Sequence, residues 1–117
     1  MEHLYKNSII RPAQLLNARN IPGSRRLVTV GAPHCGGRLG GPVILVDYCV
    51  TRRDPEAMTC ITPEIGYPCM NQAKYDMGFF REPYPFSENF FLVSHSPGPK
   101  GPDYGIYVLD GWGNRAE

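Results

Sequence analysis

The chain has 117 residues, of which 13 are Gly and 12 are Pro, about twice the usual share. Both types break helices, and the longest stretch free of them is the twelve residues 43–54, so long helices, bundles and coiled coils are excluded. Apolar residues at 42% and aromatics at 11% argue against disorder, and a net charge of +1 lacks the basic surface expected of a nucleic-acid or anionic-membrane binder.

The first seven residues, MEHLYKN, lack the apolar core of a signal peptide, and no run approaches the ~18 apolar residues of a membrane-spanning helix. Residues 1–16 read as a lead-in, with room for one helical turn over 13–19 after Pro12. Ile21-Pro22-Gly23-Ser24 is a turn signal, and Leu27-Val28-Thr29-Val30 a strand. The HCGGRLGG run over 34–41 is a connection, and Val43-Ile44-Leu45-Val46-Asp47 a second strand. Residues 48–58 form a polar, exposed loop, and Thr59-Cys60-Ile61-Thr62 a short third strand stopped by Pro63. The first unit thus spans 17–64, and 65–78 form an irregular connection. In the second unit, 79–117, Phe79-Phe80 begins a strand and Pro83-Tyr84-Pro85 makes a turn. Phe90 to Ser94 is a strand, SPGPKGPD a loop and YGIYVLD a strand, after which the chain stops short of an expected last strand.

The two units match when the first is shifted by 63 without a gap: Pro22 falls on Pro85, Leu27 on Phe90, and Val43 to Asp47 on Ile106 to Asp110. Repeats of this kind indicate a solenoid, propeller or array. The apolar strands do not alternate, so they call for cover on both faces. Two hairpin units cover only one face of each other. The expected architecture is therefore all-β: two antiparallel, blade-like sheets of an incomplete β-propeller ring.

Sites of chemistry are few. His34 and Cys35 place an imidazole beside a thiol, a candidate pair for a soft or borderline metal. Adjacent residues seldom complete a site, so further ligands would come from His95 or from other blades; backbone hydrogen bonding of His34 is the plainer reading. The Gly-rich run 36–41 lacks the Gly-Lys-Ser/Thr and following helix of a phosphate loop. Ser94 and His95 are strand neighbours that face opposite ways, against a nucleophile–base pair. Asp47 and Asp110 read as turn formers, and Trp112 as packed beneath its hairpin. Arg25-Arg26 and Arg52-Arg53 are solvated. The four cysteines, at 35, 49, 60 and 69, show no Cys-x-x-Cys spacing and read as small buried apolar residues rather than disulfides.

Asn17 to Ser24 (NARNIPGS) and Val28 to His34 (VTVGAPH) resemble the "AR-x-IPGS … GAPHH" stretch of TolB-like β-propellers. They resemble more closely the proteins related to the hydrazine synthase alpha subunit of planctomycetes. VILVD, ITPE, PYPFSE, FLVS, YGIYVLD and GNR follow in order, so the resemblance covers residue 16 to the end. Two departures matter: Cys35 stands where the family often has a second His, and haem-attachment motifs are absent. The resemblance implies a non-catalytic scaffold or interaction segment of a larger periplasmic or extracellular protein. Its partners would be the remaining blades, from the parent chain or another protein, with no cofactor of its own. The alternative is part of a redox enzyme whose propeller surrounds a haem or metal held elsewhere.

Overall fold

The computed structural model describes residues 14–32, 40–50, 57–65, 79–97 and 103–117. Its strands are β1 (Gln14–Asn20), β2 (Arg26–Ala32), β3 (Val43–Asp47), β4 (Met58–Cys60), β5 (Phe79–Pro85), β6 (Phe90–Ser96), β7 (Gly105–Asp110) and β8 (Arg115–Ala116). They form two antiparallel four-stranded sheets, ordered β1-β2-β3-β4 and β5-β6-β7-β8. No α-helix occurs among the described residues, and the two sheets do not close into a ring.

Three local expectations are corrected. Residues 14–20 form strand β1 rather than a helical turn, so the first unit begins before residue 17; pairing with β2 overrides the weak local preference. Pro83-Tyr84-Pro85 lies in strand β5 rather than in a turn. Its prolines are tolerated because β5 is an edge strand with a bulge after Arg81, where a missing N–H costs little. The last strand of the second unit is present, as the two residues of β8.

The repeat is real but not gapless. The pairs Gln14↔Ala32, Arg19↔Val28 and Asn20↔Leu27 of the first sheet recur as Phe79↔Ser96, Tyr84↔Leu92 and Pro85↔Phe91 in the second. Likewise Arg26↔Asp47 and Val28↔Leu45 recur as Phe90↔Asp110 and Leu92↔Val108. The offset is therefore 65 between β1 and β5, 64 between β2 and β6, and 63 only between β3 and β7. The bulges also correspond: each opens with a residue at positive φ, Asn17 (54°) and Glu82 (51°). The turns correspond too, with Ile21 N–H donating to Arg26 C=O and Phe86 N–H to Phe90 C=O. A one-residue slip moves every side chain of a strand to the other face, so the gapless match puts β2 on the wrong face of its equivalent.

With the true register, each sheet has a front and a back. The front of the first sheet carries Val28, Val43 and Leu45. These pack in one core with Phe80, Phe91, Val93 and Leu109 from the back of the second sheet, with Tyr107 against it. Ile21, Ile61 and Ile65 close the core at the turns. Unlike faces meet, so the sheets stack front to back in the same sense.

Backbone and charge fasten the joint. Gly41 N–H donates to Phe80 C=O at 3.1 Å, and Phe80 N–H to Gly41 C=O at 2.8 Å. Neighbouring Gly40 permits this approach, because a Cβ there would lie 2.6 Å from Phe79 Cδ2 and 2.8 Å from the Phe80 carbonyl oxygen. At the far side, Gly113 (φ 93°) sits where a Cβ would lie 2.5 Å from the Ile61 carbonyl oxygen. Arg115 Nη2 pairs with Glu64 Oε1, and its guanidinium lies 5.0 Å from the centroid of the Phe80 ring.

Candidate functional site

The feature that stands out is the front of the second sheet. Its residues match, position for position, those that the first sheet buries in the joint. Ile21 is 1% exposed and its equivalent Phe86 49%; Val28 is 0% and Leu92 39%; Val43 is 0% and Ile106 71%; Leu45 is 4% and Val108 40%. Tyr84, Leu92 and Val108 stand in one cross-strand row, ending on Ala116. Phe90 lies at the rim, its ring stacked on Phe86 at 6.3 Å. The face is thus a contiguous apolar patch on a sheet, which soluble domains normally cover. The back of the first sheet differs, since Thr29 and Ile44 at its centre are fully buried.

Sequence patterning gave the signal for this face, because Phe90 to Val93 and Ile106 to Leu109 are unbroken apolar runs. It did not show which alternate residues would be left open. Tyr84 carries no such signal, because its flanking prolines predict a turn where the chain forms β5. Trp112, expected beneath its hairpin, is instead 74% exposed. The turn explains this: Asp110 Oδ1 accepts from the amides of Trp112 (2.8 Å) and Asn114 (3.0 Å), and Oδ2 accepts from Asn114 Nδ2 (3.0 Å). These bonds, the Asn114 side chain foremost, hold the Asp110 carboxyl below its usual range. Asp47 plays the same part, accepting from the Cys49 amide at 3.0 Å and from Arg25 Nε at 3.0 Å.

His95 is a core residue. It is buried, its ring stacks on Phe80 at 4.0 Å and meets Tyr107 edge-on at 4.9 Å, and Nδ1–H donates to the Phe79 carbonyl at 3.1 Å. Burial pushes its pKa down, so the ring is held neutral. Ser94 points to the opposite face, and no nucleophile–base pair forms. His34 and Cys35 lie outside the described residues, as do Cys69 and Arg52-Arg53. Among the described residues no group of three or more His, Cys, Asp or Glu side chains is placed to hold a metal ion. Cys49 and Cys60 are free thiols. Cys49 is exposed in its turn rather than buried as expected; Cys60 is half-buried, and that burial pushes its thiol pKa up. No helix of the described residues is long and apolar enough to cross a membrane.

No family model, curated protein or solved structure matches the chain. The likeness to TolB-like propellers therefore rests on the ordered motifs alone.

Proposed function

We propose that the chain is a segment of a β-propeller, two blades long, acting as a non-catalytic scaffold or interaction module of a larger extracytoplasmic assembly. The observation that carries this reading is the front-to-back stacking of two sheets that agree pair for pair in register, bulge and turn. In a propeller each blade turns the same face to its successor, so unlike faces meet at every joint. Two sheets related by a local two-fold would instead meet through like faces. Elemental analysis and an absorption spectrum of the purified full chain test the non-catalytic part. Neither a stoichiometric metal nor a haem band is expected; a Soret band or one metal per chain contradicts the scaffold reading.

A further inference from the structure

We propose that the front of the second sheet is a docking surface for the back of another four-stranded antiparallel sheet. The partner would have the chemistry that the second sheet itself shows to the first: an aromatic residue on its first strand, as Phe80 on β5, then Phe and Val on the second and Leu on the third, as Phe91, Val93 and Leu109 on β6 and β7. This deepens the propeller reading by naming the partner and the face, yet it would hold equally for an open stack of sheets.

Four matched positions carry it. Ile21, Val28, Val43 and Leu45 lie under the back of the second sheet, while Phe86, Leu92, Ile106 and Val108 stand open. The molecule therefore contains its own precedent for what covers this surface. The same backbone register that aims Val28 and Leu45 at Phe91 and Leu109 aims Leu92 and Val108 outward. A second copy adding head to tail does not supply the partner face, since the centre of the first sheet's back is already closed over Thr29 and Ile44. The surface carries few charges: Arg81 shares one outer row with Ser94 and Ile106, Asp110 shares the other with Phe90, and the Arg19 guanidinium lies 5.3 Å from the Tyr84 ring at the edge. Affinity would thus come from apolar burial and shape rather than ion pairing.

The test supplies such a sheet from the chain itself. Cys60 and Glu117 are equivalent in register, because Ile44↔Cys60 continues the pairing in which Val108↔Ala116 matches Leu45↔Thr59. A copy of residues 61–117 is therefore joined directly after Glu117. Ile106→Cys in the original segment reports cover, as its rate of modification by a maleimide, mapped by peptide mass so that native thiols are read separately. The expected result is modification slowed about tenfold or more in the extended chain relative to the 117-residue chain. Carrying Phe91→Asp and Leu109→Asp in the copied segment should restore the rate. Hydrogen exchange across the copied 90–96 run reports whether the copy folds. A folded copy that leaves position 106 reactive overturns the proposal, as does a copy that gains no protection at all. Slowing that persists with the two Asp substitutions also overturns it. So does protection in the unextended chain that rises with its concentration, which would give the face to a second copy. Failure of the scaffold reading would appear separately, as bound metal or haem.

Discussion

Leu45 and Leu92 offer the same substitution on the same kind of face, one covered and one open. Leu45→Ala removes three carbons from the joint; at ~0.8 kcal/mol for each buried methylene the transfer loss is about 2.4 kcal/mol, and the cavity left behind brings the cost to about 3 kcal/mol. Leu92 is 39% exposed, so roughly three fifths of that transfer loss applies, and an open face leaves no cavity: about 1.5 kcal/mol. For a chain of this size a kcal/mol moves Tm by about 4 °C, giving losses of about 12 °C for Leu45→Ala and about 6 °C for Leu92→Ala. Thermal and urea unfolding followed by far-UV circular dichroism at several protein concentrations measure the Tm and free-energy losses and separate folding from association. A Leu92→Ala cost equal to or above that of Leu45→Ala would refute the assignment of front and back.

Other consequences follow from single positions. Glu82 opens the β5 bulge at φ 51°, which costs a non-glycine residue about 1–2 kcal/mol, partly offset in a glycine variant by the freer unfolded chain. Glu82→Gly should therefore raise the urea midpoint slightly, and a clear fall would show that the left-handed backbone is not held there. His95 is neutral when folded, with a pKa below the 6.5 of the free side chain. The unfolded chain then takes up the proton first as pH falls, so the contribution of this site is full above pH 6.5 and declines below it. His95→Phe should flatten that decline in urea titrations at stepped pH; an unchanged slope would assign the acid sensitivity to other groups. Gly40→Ala drives a Cβ into Phe79 and the Phe80 carbonyl, at a cost of about 1–3 kcal/mol. Its expected signature is faster hydrogen exchange at the Gly41 and Phe80 amides, and unchanged exchange there would mean that the joint does not depend on this approach.

Much of the fold was legible. The apolar runs at 43–47, 90–94 and 106–109 became strands because β-branched and aromatic residues bounded by Gly and Pro favour little else. The Asp-centred turns were legible for a similar reason, since Asp47 and Asp110 bond the amides that follow them. Strands β1 and β8 were not, because Leu15-Leu16 and Arg115-Ala116 are too short and mixed to declare a period; they are strands by virtue of their neighbours' free edges. The gapless match between units misled at the point that matters for function. Leu27 over Phe90 looks as good as Leu27 over Phe91, because both β6 positions are Phe, yet the two choices exchange buried and open faces. Only the hydrogen-bonded pairs distinguish them. The candidate metal pair His34 and Cys35 lies outside the described residues, while His95, whose place no local pattern declares, belongs to the core.

The central claim is that unlike faces of two equivalent sheets meet. Nuclear Overhauser contacts in the isotopically labelled chain test it directly. The methyls of Val28, Val43 and Leu45 should show contacts to the set Phe80, Phe91, Val93 and Leu109, while those of Leu92, Ile106 and Val108 show none to the first sheet. Contacts from Leu92 or Val108 to Val28 or Leu45 would mean that like faces meet, and would contradict the stacked-sheet account.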